Sequence, residues 1–224
     1  MRIACLHTAE SNIAVFEAAA RELGLPAGTL CHWVRADLLA AAETAGALTS
    51  EIAGCTSDEL AALARDAEAV VLTCSTLGPA VERLAGAGTP ILRVDAALAE
   101  EAVSAGGRVV ALCAVETTLE PTAHLFDRAA SATGASVEVR LVEGAWGLFK
   151  SGDHSGYLAS IARAAERAYE DGATVVALAQ ASMAGAAKLV ERGARPLCSP
   201  ATGLSAAAAH FSELHAIAPR HRRA

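Results

Sequence analysis

The sequence has 224 residues, of which 53% are hydrophobic, 19% are charged and 4% are aromatic, and its formal net charge is −7. This length and apolar content allow a large core and one or two domains. The acidic balance and the scarce aromatic residues argue against nucleic acid or an anionic membrane as a partner. No run approaches the roughly 18 apolar residues of a membrane span, and residues 1–7 hold no long signal core, so we expect a cytoplasmic protein.

The six cysteines are scattered and form no C-x-x-C pair. They stand at positions 5, 31, 55, 74, 113 and 198. Several fall inside apolar strand patterns, which indicates reduced core residues rather than a disulfide framework. The chain shows no metal-ligand spacing and no glycine-rich phosphate or dinucleotide motif, so we expect neither a metal nor a cofactor.

Strand and helix patterns alternate through the first hundred residues. Strands are predicted at residues 2–6, 29–34, 70–72 and 90–94. Helices are predicted after residue 12 (with Ser11 or Asn12 as the cap and Gly24 at the end), after Ala36, from a capping box at Thr56–Glu59, after Pro79, and from Asp95 to about Ser104.

The pattern then repeats at a constant offset of 106 residues. Arg2–Leu6 matches Arg108–Leu112, Gly28 matches Gly134, residues 70–72 match 176–178, and residues 90–92 match 196–198. A constant offset at separated places indicates an internal duplication. We therefore predict an α/β fold with two pseudo-symmetric flavodoxin-like lobes, each a parallel four-stranded sheet flanked by helices, and an active-site cleft between them. Residues 1–98 plus 199–224 would form lobe one, and residues 99–198 would form lobe two.

Three further segments complete the prediction for the second half. Ala206–His215 has a helical pattern and should pack back on lobe one. Pro219–Arg223 is a basic tail, for which a solvated, frayed end is expected. The glycine-rich and aromatic segment Trp146–Gly156 could be a mobile lid, but a surface connection is the preferred interpretation.

The stretch from Val70 to Pro79 places a cysteine in a tight turn after a buried strand. Ser75 and Thr76 suit a helix N-cap, and Pro79 suits a first helical turn. A thiol beside helix N–H groups favours the thiolate, so Cys74 is predicted to be reactive. The alternative is a buried structural cysteine.

Ligands of parallel sheets bind beyond the carboxyl ends of the strands, so four loops should line the cleft. They are His7–Asn12, Thr73–Thr76, Ala114–Thr118 and Ala179–Ser182. These loops are rich in hydroxyls and amides and poor in lysine and arginine. They suit a small carboxylate held by backbone N–H groups and by Ser and Thr side chains.

The same loops give the chain a resemblance to the aspartate/glutamate racemase superfamily, which includes hydantoin racemases, maleate isomerases and arylmalonate decarboxylases. It is carried by residues 73–76, 117–122 and 179–184, with additional likeness at 93–95 and 100–102. The resemblance implies two cysteines facing each other across the cleft, which move a proton at the carbon α to a carboxylate. Cys74 matches the first of them, Ser75 and Thr76 match carboxylate-binding positions of lobe one, and Thr117 and Thr118 match those of lobe two.

The second-lobe cysteine of that pattern is replaced by Gln180, which stands 106 residues after Cys74. An amide cannot act as a base near neutral pH, and the hydroxyl of nearby Ser182 has too high a pKa. His7, which stands where many amino-acid racemases have Asp, is a candidate second proton carrier because imidazole titrates near pH 7. One-cysteine members of the superfamily are decarboxylases, but their cysteine belongs to the second lobe.

The preferred interpretation is a cofactor-independent racemase or isomerase acting on a small organic acid or amino acid. A decarboxylase of a malonate-type acid and a non-catalytic small-carboxylate binder are the alternatives, and a homo-oligomer is allowed. Cys74, Gln180 and His7 are the predicted catalytic residues. The predicted substrate-binding residues are Thr8, Asn12, Thr73, Ser75, Thr76, Thr117, Thr118, Ala181 and Ser182.

Overall fold

The computed structural model describes residues 1–86 and 88–217, with side chains described as far as residue 211. It contains eight strands and eight α-helices within those ranges. The first half comprises β1 (Ile3–His7), α1 (Ser11–Glu22), β2 (Leu30–Val34), α2 (Ala36–Ala45), α3 (Ser50–Leu63), β3 (Ala69–Leu72), β4 (Ile91–Arg93) and α4 (Val94–Val103). The second comprises β5 (Arg108–Cys113), α5 (Leu119–Ala130), β6 (Ser136–Leu141), α6 (Ala145–Lys150), α7 (His154–Glu170), β7 (Val175–Leu178), β8 (Leu197–Cys198) and α8 (Ser199–Ile217).

The strands form two separate parallel sheets of four strands each, so the predicted two-lobed α/β fold is confirmed. The order is β2-β1-β3-β4 in the first sheet and β6-β5-β7-β8 in the second. The offset of 106 residues is exact for β3 and β7, whose bounds are 69–72 and 175–178. Gly28 and Gly134, which precede β2 and β6, both have a left-handed backbone, with φ of 78° and 73°.

The central strands β3 and β7 are apolar on every residue because helices cover both faces of each sheet. In β3, Ala69 and Val71 enter one core cluster, whereas Val70 and Leu72 enter the cluster on the opposite face. The last helix of each half crosses to the other half. Helix α4 packs on the second sheet through residues such as Leu98.

Helix α8 confirms the predicted packing of the C-terminal segment on lobe one. Its Leu204 and Ala207 are fully buried in one cluster with Ile3 and Phe16. The predicted basic tail at Pro219–Arg223 lies outside the described residues. Among the residues that the structure describes, no helix combines the length and apolar character needed to cross a membrane.

Several predicted helix starts are wrong because the polar side chains make other contacts. Helix α1 begins at Ser11 after Glu10, without a side-chain cap. Helix α3 begins at Ser50, and Thr49 caps it by accepting from the N–H of Ile52. The predicted capping residue Thr56 lies inside α3, where its hydroxyl donates to the carbonyl of Ile52.

Two more predicted caps, near the site, also fail. The turn after β3 leads into a 3-10 helix, Gly78–Leu84, which starts after Leu77, so neither Ser75 nor Thr76 caps it. Helix α4 starts one residue before Asp95, whose carboxylate instead binds the guanidinium of Arg93 through two hydrogen bonds of 2.8 Å. Both side chains are buried, and this ion pair fixes the end of β4.

Candidate functional site

A small cavity lies where the carboxyl ends of the two sheets face each other. Its volume is about 30 Å³, enough for a water molecule or two. Ten of the twelve predicted site residues line it: Thr8, Asn12, Thr73, Cys74, Ser75, Thr76, Thr118, Gln180, Ala181 and Ser182. His7 and Thr117 do not. The other lining residues are Ala9 and Val115, which belong to two of the predicted loops, and Leu39, Trp146 and Phe149, which were not predicted as site residues.

The backbone ladders of the two sheets position the loops that contain Cys74 and Gln180. The N–H of Thr73 donates to the carbonyl of Leu6, so the first loop leaves the sheet beside β1. The N–H of Ala179 donates to the carbonyl of Leu112 in the same way. The duplicated register therefore brings the 73–77 and 179–182 loops to equivalent points on two facing sheet edges.

Cys74 is only 8% exposed, and its thiol has a polar environment on one side. Burial raises the pKa of the Cys74 thiol above its ordinary value of 9.0, against the effect of the Thr8 hydroxyl and the N–H groups of Leu77 and Thr76. The expected donors are therefore present, but the predicted net stabilisation of the thiolate is wrong. Loss of water outweighs three hydrogen bonds in the closed cavity.

The carboxamide of Gln180 has a fixed orientation. Its Oε1 atom accepts hydrogen bonds from the N–H groups of Ala114 (2.5 Å) and Val115 (3.2 Å), which belong to the loop after β5. Two N–H donors require the oxygen at this place, so the assignment of oxygen and nitrogen is unambiguous. The NH2 group remains, and it can donate hydrogen bonds to a ligand in the cavity but cannot accept a proton.

Predicted carboxylate-binding hydroxyls join the two lobes directly. The Ser75 hydroxyl donates to the carbonyl of Ala179 across the cleft, at 3.1 Å. The hydroxyls of Thr76 and Thr117 lie 3.2 Å apart, also across the cleft. Thr118 donates to the carbonyl of Val115 within its own loop. A bound carboxylate would therefore exchange some of these contacts for its own.

Asn12 and Ser182 differ in how their polar atoms are satisfied. Asn12 is 5% exposed, and its Oδ1 atom has no hydrogen-bond partner although it is fully buried. A buried polar atom without a partner costs about 1–3 kcal/mol, so Asn12 is suited to a ligand that supplies a donor. The Ser182 hydroxyl lies 2.7 Å from the phenol of Tyr157, whose pKa burial raises, so that phenol stays protonated.

His7 lies behind the cavity wall rather than on it. Its Nδ1 atom is 2.9 Å from the hydroxyl of Thr73, and its Nε2 atom is 2.9 Å from Nδ1 of His32. Burial, and then the neighbouring His32, lower the pKa of His7 to about 4. The imidazole is thus neutral at pH 7 and reaches the cavity only by way of Thr73.

The segment Trp146–Gly156, for which a surface connection was preferred, contains α6 and closes one side of the cavity. That preference is wrong, because the rings of Trp146 and Phe149 stack 4.7 Å apart and line the cavity. The indole N–H of Trp146 donates to the Glu43 carboxylate of α2 at 2.6 Å, which links the two lobes. The aromatic residues of the segment were the available signal that it lines the cavity.

Comparison with known proteins agrees with this architecture. The family model for Asp/Glu/hydantoin racemases matches residues 7–211. The chain belongs to the Asp/Glu/hydantoin racemase family. No curated protein matches the sequence significantly.

Solved racemase structures share this fold at low sequence identity. An aspartate racemase from Picrophilus torridus is 10% identical, with a TM-score of 0.71 and coverage of 96% of this chain and 94% of that one. An aspartate racemase homologue from Pyrococcus horikoshii is 17% identical, with a TM-score of 0.68 and coverage of 94% and 99%. The allantoin racemase from Pseudomonas fluorescens is 16% identical, with a TM-score of 0.61 and coverage of 100% and 99%.

This member of the Asp/Glu/hydantoin racemase family has an uncharged cavity with one thiol. Among the described residues, none that lines the cavity is Asp, Glu, Lys, Arg or His. The thiol of Cys74 is therefore the one group of the lining with acid–base chemistry in the ordinary pH range, because hydroxyls and amides do not titrate there.

Proposed function

We propose that this protein is a cofactor-independent isomerase of the racemase type. It would move a proton at the carbon α to the carboxylate of a small organic acid or amino acid, with Cys74 as the proton carrier. The observation that supports this most strongly is the position of Cys74, the single titratable side chain among the described residues of the lining, in a cavity shared by both lobes of a racemase-family fold.

Ground-state burial of the thiol is compatible with this role once a substrate is present. The Thr8 hydroxyl and the N–H groups of Thr76 and Leu77 already stabilise the thiolate form. Opening of the cavity to admit a substrate would rehydrate the thiol and remove part of the burial that raises its pKa. Cys74 would then deprotonate more readily during entry than in the closed state.

Neutral donors would bind the substrate carboxylate and the enediolate formed from it. Three neutral groups can donate hydrogen bonds to them: the hydroxyls of Thr76 and Thr118 and the NH2 group of Gln180. The present partners of these residues are uncharged, so binding of a ligand would not leave a charged group unpaired. The unpartnered Oδ1 atom of Asn12 would accept from an amine or amide N–H of the substrate. Donors placed before the reaction stabilise developing negative charge at an oxyanion.

Inversion of configuration also needs a proton on the opposite face of the carbon. Gln180 stands at the place from which that proton would come, and its amide cannot supply it. His7 could contribute only through Thr73, so its role as a second proton carrier remains a prediction. Water admitted with the substrate is the other source.

A decarboxylase is the second candidate, and the uncharged surroundings of Gln180 favour it. Loss of CO2 from a malonate-type acid leaves an enediolate that needs one proton on one face, which a single thiol supplies. The atoms balance with one proton delivered and one CO2 released. Racemisation and decarboxylation therefore differ in the number of proton carriers that the cavity must hold.

The test is a screen of amino acids, hydantoins, aryl- and alkylmalonates and maleate with the full chain, by chiral chromatography and CO2 release. We expect turnover that Cys74→Ala abolishes and that Cys55→Ser, at an exposed thiol, leaves unchanged. Inverted product supports the isomerase, and CO2 supports the decarboxylase. Ligand binding without turnover would contradict both, and undiminished turnover by Cys74→Ala would contradict the role of the thiol.

A further inference from the structure

A second cluster of reactive side chains lies on the α1-facing surface of the first sheet. Cys5 and His7 are two residues apart on β1, so their side chains share one face. His32 is the register partner of Cys5 on β2 and shares that face. One ligand atom from each of these three residues lies within 4.8 Å of the other two. Cys31, paired with Ala4, is on the opposite face.

The two imidazoles are hydrogen-bonded to each other through their inner nitrogens, which a metal ion would separate. Their inner nitrogens, Nε2 of His7 and Nδ1 of His32, face each other at 2.9 Å. Their outer nitrogens bind protein acceptors, the Thr73 hydroxyl at 2.9 Å and the Glu17 carboxylate at 3.1 Å. Metal-binding histidines almost always donate the second ring N–H to such a partner, which fixes the tautomer and the ring plane.

We propose that Cys5, His7 and His32 form a buried binding site for one divalent transition-metal ion of the zinc type. A thiolate and two imidazoles are the ligands that Zn²⁺ prefers, at about 2.3 Å for sulfur and about 2.0–2.1 Å for nitrogen. Two nitrogens on a tetrahedral ion of this kind stand roughly 3.3 Å apart, so the two imidazole nitrogens need to separate by only a few tenths of an ångström, and the Cys5 sulfur has to come within roughly 3.6 Å of each.

Charge also balances at this site. The ion brings two positive charges, and the thiolate of Cys5 and the carboxylate of Glu17 bring one negative charge each. Binding requires the buried Cys5 thiol to lose its proton to solvent, so one proton is released for each ion bound. A buried ion without this compensation would be strongly disfavoured.

The ion would affect the candidate site by fixing the position of nearby side chains, and it would take no part in the reaction itself. It would join β1 to β2 and hold Nδ1–H of His7 toward the Thr73 hydroxyl, next to Cys74 in sequence. A metal on Nε2 would also prevent His7 from carrying protons. The two roles for His7 therefore exclude each other, and the experiment below separates them without any substrate.

The test is titration of the untagged, chelator-treated full chain with Co²⁺ and then Zn²⁺. We expect one equivalent to bind, with a thiolate-to-cobalt charge-transfer absorption, visible bands of a four-coordinate ion that takes water as its fourth ligand, and release of one proton. Cys5→Ser should abolish the charge-transfer band, and His32→Gln should weaken binding at least tenfold. Cys31→Ser, on the same two strands but the opposite face, is the matched control and should bind as the wild type does.

Circular dichroism and thermal unfolding establish that each variant is folded before the titration. If His32→Gln does not fold, comparison of cobalt binding by Cys5→Ser and by the native chain still tests whether Cys5 is a ligand of the ion. Absence of cobalt binding to the native chain would overturn the proposal. Binding without the charge-transfer band, or binding that Cys5→Ser leaves unchanged, would overturn it equally.

Discussion

Cys74 and Gln180 occupy the same position in the two halves of the duplicated fold and line the same cavity from opposite lobes. One position supplies a thiol, and the other supplies an amide whose oxygen is held by two backbone N–H groups. The symmetry of the scaffold is therefore retained, whereas the symmetry of the chemistry is lost. This asymmetry leaves one titratable side chain among the described residues that line the cavity.

Gln180 should contribute to stability as well as to ligand binding. Gln180→Ala would leave the N–H groups of Ala114 and Val115 without their acceptor, and we expect a loss of about 1–3 kcal/mol in the free energy of unfolding. Gln180→Glu keeps an oxygen at the same place and should cost less. Urea denaturation measures both, and an equal cost for the two variants would contradict this account of the amide.

Arg93 should be far more important for stability than an exposed arginine. It is 9% exposed and paired with Asp95, which is 2% exposed, so Arg93→Ala leaves a buried carboxylate uncompensated and should cost about 3–5 kcal/mol. The matched control is Arg128→Ala, which breaks an ion pair with Glu82 at 67% and 61% exposure and should cost less than about 1 kcal/mol. Similar losses in denaturant unfolding for the two variants would contradict the prediction.

The hydrogen bond from Trp146 to Glu43 should limit access to the cavity. Helix α6 lies between Gly144 and Gly152, both with a left-handed backbone that suits a hinge. Glu43→Ala removes the acceptor, and we expect Cys74 to be alkylated about fivefold faster, the equivalent of ~1 kcal/mol for one hydrogen bond. The measurement is iodoacetamide labelling followed by peptide mass spectrometry.

Trp146→Phe removes only the indole N–H and provides the control for that experiment. It should match Glu43→Ala, and the double variant should be no faster than either single variant, because both remove the same bond. Glu51→Ala, an exposed carboxylate in the first turn of α3, should leave the rate unchanged. Additive effects of the two single changes would show that the bond does not control entry.

The pH dependence of Cys74 labelling follows from the direction of its pKa shift. Burial places the pKa of the folded thiol above 9.0, so in the native protein the labelling rate should still be rising at pH 9. The same thiol in the urea-unfolded chain should reach half of its maximal rate near 9. A native midpoint below pH 8 would contradict the raised pKa.

The same shift has a consequence for stability. Below pH 9 the thiol is protonated in both states, and above it the unfolded chain ionises first, so the free energy of unfolding should decline as the pH rises beyond about 9. Cys74→Ser should make that decline shallower.

The sequence allowed the fold and most of the cavity lining to be predicted because both depend on repeated, local patterns. Apolar strands such as β3 and the offset of 106 residues predict two equivalent sheets. The carboxyl ends of the strands in these sheets predict which loops line the cavity. Predictions failed where a side chain had a choice of partners. Thr56 has the pattern of a cap but bonds within α3, and Ser75 bonds across the lobes.

Other features depend on contacts between residues far apart in the chain. Trp146 reaches Glu43, 103 residues away, and no local pattern encodes that contact. The cluster of Cys5, His7 and His32 requires the parallel register of β1 and β2, although the alternation of Cys5 and His7 was visible in the sequence. The pKa of Cys74 depends on how much water the closed lobes exclude, which the loop sequence alone does not give.

The central claim is that Cys74 moves the proton at the α-carbon. Its most direct measurement is the mass of substrate or product recovered after incubation in D2O with the native chain and with Cys74→Ser. We predict that the native chain introduces one solvent deuteron at the α-carbon and that the serine variant introduces none above the uncatalysed rate. Equal deuterium incorporation by the two proteins would contradict the claim.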